Sequence, residues 1–294
     1  EQSPMIDAAL GLITSQLDQA LRLSAAGGQR VPAVPGPPRR HADAGGLGRG
    51  AIDARRAHVE GQFRVRRRRI AEQMEASITR SPLTADERIA WLIARGPKTG
   101  EGVLALADAY DSQGKRDDML RVVREAWRTK PMSAGAVASI QSRYSSQLTA
   151  DDHFARADMF LWRGDTKSAT ALFPKVTSDR KKLLEARIAL MKNTKKIDKP
   201  IAAVPAEYLN DPGLLFDRAR YAENRGKDAE QLGYLLRING ETAPAVGRED
   251  IWTEKQSEMR RLIRERDYQT AYQLAAGHGL LRSEERRVGK ECLR

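Results

Sequence analysis

Cysteine is nearly missing from this chain: the only one is Cys292, third from the end. A single thiol closes no disulfide within one chain, and it assigns no redox compartment. Aromatic residues make up only 5% of the sequence and strand signals are scarce. No stretch reaches the roughly 18 unbroken apolar residues of a membrane span. There is no glycine-rich phosphate loop, no G-x-S-x-G string and no spacing that pairs a nucleophile with a base. The four histidines, His41, His58, His153 and His278, form no i, i+4 pair and have no cysteine beside them. No metal ligand set is therefore expected, and no catalytic, cofactor-binding or metal-binding residue is assigned. His153 and His278 read as capping or packing residues at helix ends.

What is present in excess is positive charge, and it is local. The chain holds 51 Lys+Arg against 39 Asp+Glu, a formal net charge of +12. Residues 282–294 contribute +2 and residues 22–69 contribute +9, which leaves about +1 for everything else. The string Arg282-Ser283-Glu284-Glu285-Arg286-Arg287-Val288-Gly289-Lys290-Glu291-Cys292 resembles the conceptual translation of a common sequencing adapter. The natural sequence is accordingly expected to be cut near Leu281, and 282–294 is set aside from fold reasoning. Residues 22–69 hold twelve Arg, eight Gly and four Pro but no Lys, which first occurs at Lys98. A frameshifted GC-rich coding stretch and a disordered basic linker both fit that composition. A nucleic-acid-binding arm fits poorly, because Phe63 is the only aromatic residue there and stacking platforms need several. The chain opens at Glu1 without an initiator Met, and Ile6–Leu23 has helical apolar spacing without a continuous apolar run, so no signal peptide is visible. The expected organisation is a short helix in 1–21, the Arg/Gly/Pro-rich segment 22–69, one helical domain over 70–281, and the tail.

The spacing in 70–281 predicts an all-α fold. Apolar residues recur every three or four positions, as in Met119/Leu120, Val123 and Ala126/Trp127; in Leu184, Ile188 and Met191; and in Leu215, Ala219 and Ala222. Each series is a stripe that a helix buries on one face. Thr84 with Glu87 and Thr149 with Asp152 read as capping boxes, and Asp211-Pro212 as a cap followed by proline at the first helical position. Four turns join the helices into pairs: Asp111–Lys115, Trp162–Asp165, Glu223–Lys227 and Glu265–Asp267. Three of them place a glycine (Gly114, Gly164, Gly226) where a positive φ is required. Ala-bearing helices then return, at Ala169, Ala229 and Ala271, where small side chains suit close packing. A hairpin cannot bury both faces, so successive pairs are expected to stack into an αα solenoid. The glycine spacing, fifty and then sixty-two residues, argues against a strict 34-residue tetratricopeptide array.

From about Leu148 onward the chain resembles the superhelical N-terminal domain of bacterial soluble lytic murein transglycosylases. The resemblance is carried by Leu148–His153 with Trp162, by Arg180–Leu190, by Asp211–Tyr221, by Trp252 with Glu254, and by Asp267–Leu280. It covers a little over half the chain well and residues 75–147 more loosely. At Ile251–Lys255 the chain departs from it, since relatives tend to have a second aromatic and an arginine. The resemblance implies an αα-hairpin superhelix, U-shaped or ring-like, that confines a glycan strand of peptidoglycan in the periplasm. It also implies a separate lysozyme-like domain whose single Glu protonates the glycosidic oxygen while the sugar's C6 hydroxyl closes a 1,6-anhydro ring. That Glu belongs to a Glu-Ser helix start followed by a Gly-Leu-Met-Gln-like segment, and neither string occurs in these 294 residues. The chain is therefore expected to be an inactive scaffold fragment. The solenoid should be incomplete after Leu281, exposing an apolar face of the Ile251–Leu280 hairpin and self-associating through it. The alternative is a free-standing helical-repeat module that binds proteins.

Two further groups invite a functional reading. Glu254 and Glu258 share a helical face, but amid Lys255, Arg260 and Arg261 they read as a solvated charged face. Trp91, Trp127, Trp162 and Trp252 could stack on sugars, yet each lies on an apolar stripe, and packing is the expected role of at least three.

Overall fold

The computed structural model describes residues 69, 70 and 72–276, which divide into two compact units between Lys98 and Thr99. The short helix expected in 1–21, nearly all of 22–69, the 282–294 string, His41, His58 and His278 lie outside the described residues. Among those described there is no strand. The first unit contains α1 (72–80) and α2 (Ala85–Arg95). Thr84 and Glu87 form the expected capping box at the start of α2, and Gly96 ends it at φ 61°. The carboxylate of buried Glu75 accepts the backbone N–H of Lys98.

The second unit runs through α3 (Gly100–Ser112), α4 (Arg116–Thr129), α5 (Ala134–Tyr144), α6 (Ala150–Trp162) and α7 (Thr166–Thr170). It continues through α8 (Ser178–Met191), α9 (Asp198–Ala202), α10 (Pro212–Glu223), α11 (Asp228–Arg237), α12 (Arg248–Arg264) and α13 (Tyr268–Ala276). The hairpins are α3/α4, α6/α7, α10/α11 and α12/α13. Between them α3 packs on α5, α4 on α6, α6 on α8, α8 on α10, and α11 on both α12 and α13. The most extensive contacts thus run between near neighbours in sequence, which is how a helical-hairpin solenoid buries its core. The irregular glycine spacing is explained by α5, α8 and α9, which lie between hairpins rather than within them.

All four expected turns close in the same way. After α3, Gly114 N–H donates to Asp111 O and Lys115 N–H to Tyr110 O, the paired bonds of a Schellman cap. The same pair of bonds recurs around Gly164, Gly226 and Arg266. Arg266 holds φ 65° without being glycine, so the fourth turn carries strain the other three avoid. A fifth cap of this kind, at Asn193 with φ 51°, ends α8 and went unread because no glycine marks it.

The caps and stripes hold with two corrections. Thr149 and Asp152 form the capping box of α6, and Asp211 accepts Leu214 N–H ahead of Pro212. Met119, Val123, Ala126 and Trp127 are buried on α4, and Leu215, Ala219 and Ala222 on α10. On α8 the buried face turns toward Leu183, Leu184, Ala186, Arg187 and Leu190, leaving Ile188 and Met191 half-buried. Ala169 and Ala271 pack closely as expected, whereas Ala229 is exposed and Gln231 and Leu235 face inward instead.

Candidate functional site

Three successive helices of the stack meet at one buried ion cluster. Arg187 of α8 is 1% exposed; its Nη1 donates to Asp158 of α6, and its Nε donates to Oδ2 of Asp217 of α10 at 2.6 Å. The partners are 29 and 30 residues apart, about one layer of the stack each way. Trp162 closes the cluster from α6: its Nε1–H donates to Oδ2 of Asp158 at 3.2 Å, and the guanidinium lies 5.1 Å from the indole centroid. Pro212-Gly213 opens α10 directly over the guanidinium. A Cβ at Gly213 would lie 2.4 Å from Arg187 Cζ, so only glycine lets the backbone come this near.

One cation here serves two carboxylates. Burial works against the Arg187 charge, but Asp217 and Asp158 outweigh it and hold the guanidinium above its ordinary range. Burial pushes Asp158 up to about 6, with Asp211 and Asp217 adding repulsion and Arg187 opposing. Asp217 is also raised, by burial first.

A cleft of about 170 Å³ opens beside this cluster. Trp162 and Phe216, with ring centroids 5.0 Å apart, form one side; Asp217, Arg220 and Tyr221 continue it along α10, and Asp250 of α12 stands at the rim. The Trp162 wall is backed by Gly247, where a Cβ would lie 2.5 Å from the indole. Asp250 is raised, by desolvation first and by Glu249 second, with Arg220 opposing. No serine, threonine or cysteine is among the residues lining the cleft.

Two more buried cations cap helix ends across layers. Arg156 of α6 donates to the Trp127 carbonyl at 2.9 Å and stacks 4.1 Å from that ring. Burial alone lowers it to about 10. Lys255 of α12, 1% exposed, donates to the Ile238 carbonyl at the end of α11, and burial lowers it to about 8. Cations at helix C-termini meet the negative end of the helix dipole and the last free carbonyls.

This corrects the reading of Glu254 and Glu258 as a solvated face. The buried stripe of α12 is Ile251, Lys255, Glu258 and Leu262. Glu258 is buried and accepts from Arg261, while half-buried Glu254 accepts from Gln231 Nε2 at 2.9 Å and is raised by burial. Stacking of α11 and α13 on this face encloses charges that look solvated in isolation. His153 packs edge-on to Trp127 with centroids 5.8 Å apart. Trp127 and Trp162 are buried; Trp91 and Trp252 are half-buried. Asp158, Arg187 and Asp217 were missed because each falls among apolar residues of a stripe; charges recurring about 30 residues apart on such stripes were the available signal.

Among the described residues no group of three or more His, Cys, Asp or Glu is placed to hold a metal ion, and no helix is long and apolar enough to cross a membrane. No protein-family model, no characterised protein and no solved structure matches this chain.

Proposed function

We propose that this chain is the superhelical scaffold of a periplasmic peptidoglycan lytic transglycosylase, the part that curves around a glycan strand beside a catalytic domain. The observation that carries the reading is where the family-like strings fall. Arg187 lies in the Arg180–Leu190 string, Asp217 in the Asp211–Tyr221 string, and Trp162 accompanies the Leu148–His153 string, so three separate stretches meet at one buried cluster. The first and second strings also interlock through Arg180 and Asp151. The catalytic step is not assigned to these residues, because the Glu-Ser and Gly-Leu-Met-Gln strings are not among them.

The test is co-sedimentation of the pure chain with purified sacculi at about 0.5 M salt, where the Debye length falls well below 10 Å and non-specific attraction of a +12 chain is screened. The expected result is retained binding with no release of anhydro-muropeptides. Loss of binding at that salt, to the level of an unrelated helical protein, overturns the reading. A protein-binding repeat module is the competing reading, favoured by exposed Ile263, Tyr268 and Tyr272 on the α12/α13 hairpin. Binding to a protein partner with no sacculus binding would establish it instead.

A further inference from the structure

Positive charge gathers on the segment that leaves α8. Lys192, Lys195, Lys196 and Lys199 are all exposed there, and exposed Arg225 reaches the same segment from the α10/α11 turn. Arg225 Nη1 donates to Oδ1 of Asn193 and its Nη2 to the Thr194 carbonyl at 3.5 Å, while the Tyr221 hydroxyl donates to that carbonyl at 3.0 Å. The guanidinium also stacks 3.5 Å from the Tyr221 ring. These bonds tie the lysine-bearing segment to the end of α10. Asp198 is the only acid in 192–199, so the four lysines and Arg225 leave a net +4. The chain outside 22–69 and 282–294 totals about +1, which puts the remainder of it near −3. Other exposed lysines meet a carboxylate about one turn away, Lys181 at Glu185 and Lys227 at Glu230. Among the described residues, none of Lys192, Lys195, Lys196, Lys199 or Arg225 has a carboxylate partner. The acids beside Arg225 are engaged elsewhere, Glu223 with Glu254 and Glu230 with Lys227. Like charges crowded without counter-charge attract an anionic partner from solution.

We propose that this surface docks an acidic peptide, whose side-chain carboxylates pair with Lys192, Lys195, Lys196, Lys199 and Arg225. Lysine is a compact point charge on a flexible stem, which suits carboxylates spaced unevenly along a peptide. Phosphate recognition draws on the rigid arginine fork, and the one arginine here is committed to Asn193, Thr194 and Tyr221. Single-stranded nucleic acid also needs a free ring for its bases, and Arg225 covers Tyr221. A lipid surface calls for exposed apolar side chains beside the charge. Ile197, the only apolar residue in 192–199, is half-buried and packs on the core between α8 and α10. The inference stands on the distribution of charge and is independent of the peptidoglycan reading; the sacculus assay at high salt screens out this attraction, so the two fail separately.

The experiment titrates the full chain with hexaglutamate at about 0.02 M salt, where the Debye length is about 20 Å, and follows backbone amide resonances. A DNA hexamer and vesicles containing one-third phosphatidylserine are the comparison probes. Hexaglutamate is expected to shift the amides of 192–199 and Arg225 saturably at millimolar concentration, and more tightly than either comparison probe shifts them. Replacing Lys192, Lys195, Lys196 and Lys199 together by Gln is expected to weaken hexaglutamate at least fivefold. The control removes the same charge from two other turns by replacing exposed Lys115, Arg116, Arg163 and Lys167 by Gln, and is expected to weaken it less than twofold. All eight side chains are exposed, and unchanged far-UV dichroism verifies both variants. Equal weakening by the two variants, shifts confined to other residues, tighter binding of DNA or vesicles through the same amides, or no shift of these amides at about 10 mM peptide would each overturn the proposal.

Discussion

Gly213→Ala tests the buried cluster most directly, because two physical effects predict opposite signs. Helix propensity favours alanine over glycine by up to about 1 kcal/mol. Packing opposes it: the new Cβ would lie 2.4 Å from Cζ and Nη1 of Arg187 and 2.8 Å from Nη2. Carbon contacts normally settle near 3.5–4.0 Å, so more than an ångström of movement is needed. The guanidinium cannot supply it while it holds Asp158, Asp217 and the Trp162 ring. If Arg187 leaves, two buried carboxylates lose their cation, which costs about 3–5 kcal/mol. If α10 shifts on α8 instead, overpacking costs about 1–3 kcal/mol. The chain takes the cheaper of the two routes, so net of propensity we expect a loss of about 1–2 kcal/mol. The control is Gly233→Ala on α11, whose Cβ meets nothing within 4 Å; it should gain about 0.5–1 kcal/mol. Urea unfolding followed by far-UV dichroism and by tryptophan fluorescence measures both, the second probe guarding against partial unfolding of a stack that need not melt as one unit. Gly213→Ala as stable as the parent, with Gly233→Ala behaving as expected, would refute the close approach of α10 to Arg187.

Three more outcomes follow from named residues. Asp158, at about 6 when folded, lies above the ordinary carboxylate value near 3.9, so between about pH 4 and 6 the folded chain binds more protons than the unfolded one. Its contribution to stability is fully present below that window and is lost as pH rises through about 6, by on the order of 2 kcal/mol; Asp158→Asn should remove that slope from stability measured across pH 4–7. His153 acts in the opposite direction: burial first, then Lys175 and Arg156, lower it, so stability is full above about pH 6.5 and falls as pH drops and the unfolded state takes up the proton. His153→Gln should flatten the loss between pH 7 and 5, and an unchanged profile would show that the ring is not enclosed. Arg266→Gly should raise stability by about 0.5–1 kcal/mol, because φ 65° costs arginine more than glycine, whereas Gly114→Ala at φ 71° should lower it by about 1 kcal/mol; equal unfolding midpoints for the two variants would contradict the turn assignment.

Helices, their starts and their hairpin turns were legible from the chain because they are decided locally. A threonine three residues before a carboxylate, an aspartate before proline, and a glycine after the last apolar position each satisfy nearby backbone groups whatever packs around them, as at Thr84, Asp211 and Gly114. Without a glycine the signal is weaker: the Glu265–Asp267 turn was still legible from its place between two helices, whereas the one at Asn193 was not, since a residue other than glycine accepts a positive φ only when the neighbouring packing compensates. The stacking of hairpins also followed from the sequence in outline, because an amphipathic pair must cover its second face. Which charged residues that stacking encloses was decided by tertiary structure alone. Nothing local distinguishes Arg187 from exposed Lys181 on the same helix, or buried Glu258 from a solvated surface glutamate. Burial depends on the helix laid across them, by α6 and α10 around Arg187 and by α11 and α13 around the α12 stripe. The cleft has the same origin: its walls come from α6, α8, α10 and α12, and Trp162, Asp217 and Asp250 meet there only because the layers stack.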